Sequence, residues 1–481
     1  MHEQPENASN STRGANSSEM VIEGADLAAR RAGLFAVALS SFLTAFLISS
    51  LNVALPVLQK EFQLNAILLG WVPMASLLAS AMFVVPLGRI SDIYGRRRIF
   101  MYGMIIFTAS SLLCSLSGSV TSLIPFMVIQ GIGGAMIFST GIAIVTALYP
   151  ADQRGRVLGM SVAAVYFGLS SGPFFGGLLT GYFGWRSVFL VILPLGLIII
   201  LAVSLRLKQD WKDAGGERFD FLGSIIYSLS LFLVVYGFSS LPSLRGFSLL
   251  GAGILTGVVF FLWESRIEMP ILHVSLLKVN RIFAFSNLAA LIHYSATSAV
   301  TFLLSLYLQT IRGLTPQQAG MILVCQPFIQ AVLTPFAGRL SDKIEPRIVA
   351  SIGMGLTGVG LLLLSLLTSH TSFPMILGNL SLLGLGFAFF ASPNMNAIMS
   401  SLEKRFYGVG SGILATARMV GQAFSMGFTV LVFSLYLGRV QMTPDLYPLF
   451  LKSAKILFLF FAILCCGSIA ASLARGNVRP S

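Results

Sequence analysis

Charge is what this sequence has least of. Only 10% of its 481 residues are Asp, Glu, Lys or Arg, 56% are hydrophobic, and the mean hydropathy is +0.85. A soluble domain carries about 25% charged residues, so this chain cannot cover itself with a water-compatible surface and belongs in lipid. The same shortage excludes disordered, collagen-like and coiled-coil chains. The four cysteines (Cys114, Cys325, Cys465, Cys466) all fall in apolar stretches, which excludes a disulfide framework and a metal site. Only four histidines are present, with no HExxH, CxxC, GxSxG or P-loop; an enzyme is not expected, nor a cofactor. The longest loops, 207–220 and 265–281, are too short for a nucleotide-binding domain, which argues against ATP-driven pumping. Period-two alternation is lacking as well, so a membrane β-barrel is excluded.

What is present is apolar sequence of spanning length, about 20 residues at a time. Fourteen such segments follow one another: 33–57, 67–87, 99–118, 123–148, 157–181, 187–206, 221–240, 246–264, 282–307, 317–338, 348–368, 373–400, 408–437 and 450–474. Residues 1–30 are polar and Asn/Ser-rich, and read as a disordered cytoplasmic tail; 475–481 reads as a second one. The formal charge is +13, which in a soluble protein would raise nucleic acid as a partner. Here the basic residues sort by side instead. With the N-terminus inside, 23 of the 31 Lys and Arg fall in inner loops or tails, seven fall outside, and Arg418 alone lies within the membrane. That bias predicts a multi-pass protein of the plasma or inner membrane with both termini cytoplasmic.

An internal repeat divides the chain. Gly88-Arg89-Ile90-Ser91-Asp92 recurs as Gly338-Arg339-Leu340-Ser341-Asp342, Gly131 with Gly133 as Gly384 with Gly386, and Gly155 with Gly159 as Gly408 with Gly412. The offsets, 250 to 253 residues, span eight segments. Two six-helix halves, 31–206 and 281–474, with two extra helices inside 207–280, account for this. Repeats of this kind place a substrate site at the interface of the halves.

Two motifs carry more than packing. Gly88-Arg89-Ile90-Ser91-Asp92-Ile93-Tyr94-Gly95-Arg96-Arg97-Arg98 joins the second and third segments. Gly88 permits close helix approach, and Asp92 is read as the anion near a helix start, where the macrodipole favours it. In the fifth segment Gly168, Gly172 and Gly176 form one row, Gly177 with Gly181 another, and Pro173 permits a bend. The Gly-x-x-x-Asp-x-x-Gly-Arg-Arg spacing resembles the loop motif of the major facilitator superfamily. Gly172-Pro173-Phe174-Phe175-Gly176-Gly177 resembles the antiporter motif that marks its exporters. With fourteen segments, Asn52-Val53-Ala54-Leu55-Pro56 and Gln130-Gly131-Ile132-Gly133, the chain is similar to the fourteen-helix drug:proton antiporter branch over residues 33–474. The resemblance implies an all-α membrane protein of major-facilitator type. It also implies export of small organic or drug-like compounds by alternating access, with the loop motif and glycine row as gating elements.

Two departures bear on the coupling. Phe46-Leu47-Ile48-Ser49-Ser50 lacks the acid that branch carries in its first helix, and Met127 stands where it carries an arginine. The second loop motif is degraded, with Glu345-Pro346 replacing Gly95-Arg96. None of the 18 acids lies near the midplane. Arg418, about 15 Å into the thirteenth segment, has Gln422 one turn on. It is either a structural arginine held by carbonyls or a cavity cation that orients an anionic or polar substrate. His293, beside Tyr294, has an unperturbed pKa of about 6.5; it is either a hydrogen-bonded packing residue or a proton carrier. Asn52, Gln130 and Gln326 are further cavity candidates, with Gln330, Asn287, Asn379, Asn394 and Asn396. The expected partners are the bilayer, a small-molecule substrate and protons, the protein acting as a monomer. A facilitator or importer of an organic anion is the alternative.

Overall fold

The computed structural model describes residues 9–150, 153–212, 214–272, 274–403, 407–438, 440 and 443–477. Among them, fourteen helices are long and apolar enough to cross a membrane. They are α1 (Ser9–Phe62), α2 (Ala66–Tyr94), α3 (Arg96–Ser115), α4 (Val120–Leu148), α5 (Arg154–Phe183), α6 (Ser187–Arg206), α7 (Phe221–Ser240), α8 (Leu244–Glu264), α9 (Arg281–Ile311), α10 (Pro316–Lys343), α11 (Pro346–Leu364), α12 (Phe373–Ser400), α13 (Tyr407–Tyr436) and α14 (Pro444–Ala474). Helices are the natural answer for such segments, because a helix satisfies its backbone internally where water is absent. Several starts carry side-chain caps. Asn65 accepts from Leu68 N at 2.8 Å, Asp220 from Gly223 N at 2.9 Å, and Thr315 with Gln318 forms a capping box.

One terminus differs from the expected tail. Helix α1 begins at Ser9, well before its apolar portion at Ala28. The stretch Ala25–Ala32 contains four alanines, the best helix former, and carries the helix backward; residues 1–8 lie outside the described residues.

The helices pack as two copies of one pattern. In the first, α1 packs on α5 and α6, α4 on α2 and α3, and α3 on α6. In the second, α9 packs on α13 and α14, α12 on α10 and α11, and α11 on α14. Each pair in one set is the other shifted by eight helices. The seams between the sets are α2 on α13 and α5 on α10, again equivalent under that shift. Helices α7 and α8 pack on each other, and α7 lies along both α2 and α13.

At two prolines inside helices a neighbouring helix supplies the missing donor. Pro86 has no N–H to offer the carbonyl of Met82, and Ser228 Oγ of α7 donates to that oxygen at 2.9 Å. Beside it, Tyr227 Oη donates to Ala81 O at 2.9 Å. Pro173 leaves the Leu169 carbonyl free in the same way, and Ser49 Oγ of α1 donates to it at 3.0 Å.

Candidate functional site

The loop motif is held by the segment that follows α6. Gly95 alone separates α2 from α3, at φ 122°, and a Cβ there would run into the Asp210 carboxylate. Asp210 Oδ1 accepts from Arg97 N at 2.9 Å, and its other oxygen lies 3.3 Å from Arg98 Nε. Arg96 N donates to Trp211 O, Ala214 N donates to Asp92 O, and Arg89 pairs with Glu217. This corrects the reading of Asp92. It lies in the last turn of α2, the unfavourable end for an anion, and is compensated by Arg96 at 2.9 Å. The anion at the start of α3 is Asp210. Gly88 is also less confined than expected, since an added Cβ would meet Ser139 only at 3.5 Å. In the second copy, Gly338 is tight against Ser392, Arg339 is exposed, and Asp342 accepts from Asn396 Nδ2 at 3.0 Å.

The glycine row of α5 faces two partners. A Cβ on Gly168 would lie 2.5 Å from Phe42 O, on Gly172 2.5 Å from Ser49 Cβ, and on Gly176 2.6 Å from Ser50 Cβ, all on α1. Ser50 Oγ donates to Gly172 O at 2.9 Å. Gly177 faces across the seam, where a Cβ would lie 2.6 Å from Pro316 O; Gly181 meets Gln317, and Gly320 meets the Pro173 carbonyl. Ser170 Oγ donates to Pro327 O at 2.8 Å, and Gln309 Nε2, in the π-helical turn ending α9, donates to Val53 O at 2.9 Å. The halves therefore meet closely at the end away from the loop motif. At the other end, the repeat-related Gly159 and Gly412 have nothing within 4 Å of an added Cβ. The seam between α5 and α10 is shut at one end, and both α5 and α13 leave open space beside these glycines at the other.

Between the halves, at mid-depth, sits a cluster drawn from five helices. The Arg418 guanidinium of α13 lies over the Phe138 ring of α4, 5.4 Å from its centroid. Tyr166 of α5 and Tyr294 of α9 are close enough to interact electrostatically with Arg418, and Gln330 of α10 is within hydrogen-bonding reach of Tyr166. Arg418, Gln422, Phe138, Tyr166 and Tyr294 are all half-buried at this depth. Among the described residues, no carboxylate, carbonyl or hydroxyl bonds to Arg418.

Other sequence candidates lie elsewhere. His293 is fully buried, 4.0 Å centroid to centroid from Phe390 and 5.1 Å from Phe387, with no hydrogen-bond partner for either nitrogen among the described residues. It is neither among the groups around Arg418 nor the hydrogen-bonded packing residue expected, because its face of α9 turns toward aromatic α12. Gln130 is buried between α4 and α3, donating to Ser111 Oγ at 2.8 Å, and Met127 is core. Asn394 is bound to Ser286 and Arg475, Asn396 to Ser341 and Asp342, and Asn287 to its own helix. Asn52 is half-buried, and Gln326 and Asn379 are buried. Arg475, assigned to a tail by sequence, is 1% exposed and donates to Ser286 Oγ at 3.1 Å and Asn394 Oδ1 at 3.0 Å. Burial lowers its pKa to about 10. Sequence reasoning missed Tyr166 and Phe138. The available signal for Tyr166 was its place one turn before Ser170 on the α5 face that meets α10.

Two repeats of six helices, meeting at one end around a polar mid-depth cluster, define a multi-pass membrane transporter. The chain belongs to the Major Facilitator Superfamily, whose family model matches residues 37–277 and 287–480. It is similar to the riboflavin transporter RibZ of Clostridioides difficile, 30% identical over 383 residues, covering 79% of this chain and 83% of that protein. It is likewise similar to the multidrug resistance protein Stp of Mycobacterium tuberculosis, 29% identical over 405 residues, covering 83% and 73% of the two chains. Among solved structures, a bacterial homologue of the human lysosomal transporter Spinster, in an inward-facing and unoccupied conformation, superposes with a TM-score of 0.67. The identity is 17%, over 93% of this chain and 97% of that one. The relatives are transporters, and the likeness includes the drug-efflux branch.

Proposed function

We propose that this transporter exports small organic or drug-like compounds across the cell membrane by alternating access, driven by proton antiport, as a monomer with both termini cytoplasmic. The observation that carries this reading is the asymmetry of the seam: shut where Gly177 and Gly181 meet Pro316 and Gln317, with open space beside Gly159 and Gly412. Rocking the halves about the mid-depth cluster would exchange the two ends. The loop motif, on the basic side, would gate the cytoplasmic end. Helices 31–206 and 281–474 would be the moving halves, and 207–280 an accessory pair.

A second reading, a facilitator or importer of an organic anion, is favoured by one observation. Every acidic residue within the fourteen spans lies in a first or last turn, so no carboxylate accompanies Arg418 at mid-depth. Efflux from inverted vesicles with and without an imposed pH gradient separates the two. Gradient-dependent accumulation that an uncoupler abolishes is the expected result; transport indifferent to the gradient would leave the second reading.

A further inference from the structure

Resting on the transporter reading, we infer that the half-buried cluster between the halves takes compounds that join an aromatic ring to one anionic group, a carboxylate or sulfonate. The anion would sit on Arg418 and the ring among Phe138, Tyr166 and Tyr294. Four features of the cluster meet in this assignment.

First, among the described residues Arg418 has no hydrogen-bond or ion-pair partner, only the Phe138 ring, and it is half-buried. A cation placed that deep in a membrane faces a partner or a cavity. The contrast within the same half is Arg475, fully buried and bonded to Ser286 and Asn394, which is how a structural arginine looks here. Second, the hydroxyls of Tyr166 and Tyr294 lie within electrostatic reach of Arg418, Tyr166 within reach of Gln330 in turn, and each hydroxyl can donate as well as accept. A guanidinium with hydroxyls beside it that can turn to donate suits an acceptor that carries negative charge. Third, the spanning acids are confined to helix ends, so nothing offsets the positive field, and an organic cation is disfavoured by the repulsion. Fourth, Phe138 and Tyr166 belong to one half, and Tyr294, Gln330 and Arg418 to the other. A ligand bridging them bears on both halves and can bias their relative position.

The test measures binding to the purified full-length protein by titration calorimetry, comparing naphthalene-2-sulfonate with neutral 2-naphthalenemethanol and the aromatic cation ethidium. The sulfonate is expected to bind most tightly. Arg418→Gln should weaken it about ten- to hundredfold, the effect of losing a charged hydrogen bond, while Arg418→Lys retains part of the affinity. Wild-type protein that binds ethidium or the alcohol as tightly as the sulfonate, or binds none of the three, overturns the inference whatever the variants do. So does a folded Arg418→Gln with unchanged sulfonate affinity. Proteoliposome transport of the same probes separates the two levels. If ethidium moves and the sulfonate does not, transport stands and the anion site falls. If the sulfonate binds as expected yet nothing crosses under any gradient, the site stands and the transport reading falls.

Discussion

Single residues show how one lost hydrogen bond organises a membrane interface. Pro173 withholds an N–H from the Leu169 carbonyl, and Ser49 supplies the missing donor from α1. The stretch that lacks the branch's usual acid is occupied by serines that donate to the α5 backbone, Ser50 to the Gly172 carbonyl, which Gly176 N–H can also reach within the helix. Those serines were visible in the sequence, but their role was not, because it depends on which face of α1 meets α5. His293 teaches the same lesson. Its titration range nominated it as a proton carrier, yet no spacing told that its ring would lie against Phe390. Two buried nitrogens without described partners carry a desolvation penalty. Replacing His293 by Leu should therefore leave transport and its gradient dependence intact, and raise stability by roughly 1–2 kcal/mol, read as a higher melting temperature. Loss of gradient dependence at unchanged stability would restore His293 to the coupling machinery.

Among the elements, the connection after α6 is the least legible from sequence and the most consequential for the loop motif. Its acids looked like ordinary loop charges. In the fold, Asp210 terminates the exposed amides at the start of α3 and Glu217 holds Arg89. The motif's arginines were legible as inner-side anchors; the partners of Arg89, Arg97 and Arg98, more than a hundred residues away in sequence, were not. Exchanging the Arg89–Glu217 pair offers a clean test. Arg89→Glu alone sets two carboxylates face to face and should sharply reduce transport, while Arg89→Glu combined with Glu217→Arg should recover much of it. A double variant as impaired as the single one would show that Arg89 works through something other than Glu217.

The whole molecule was readable in one respect and opaque in another. Short glycine and loop repeats at offsets of 250 to 253 residues implied two equivalent halves, and the helix packing repeats with a shift of eight helices. Which end of the seam is shut leaves no such trace, because both ends must close in turn if the halves rock. Crosslinking addresses that directly. In a background without the native cysteines, Gly181→Cys with Gln317→Cys should form a disulfide readily, since a Cβ on Gly181 lies 3.0 Å from Gln317 Cγ, the place the new sulfur at that position would take. Oxidation should stop transport, and reductant should restore it. Full transport by the crosslinked protein would rule out rocking at this seam.

The accessory pair makes the two seams unequal toward the bilayer. Helix α7 lies along α2 and α13, with Phe238 against Phe424 and Phe428 and Ser228 bonded to α2. No described helix covers α5 and α10 in the same way, and Phe167, Phe328, Val332 and Phe336 are exposed there. The flank along α2 and α13 is thus walled by the accessory pair, while the flank along α5 and α10 lays its apolar side chains bare to the bilayer.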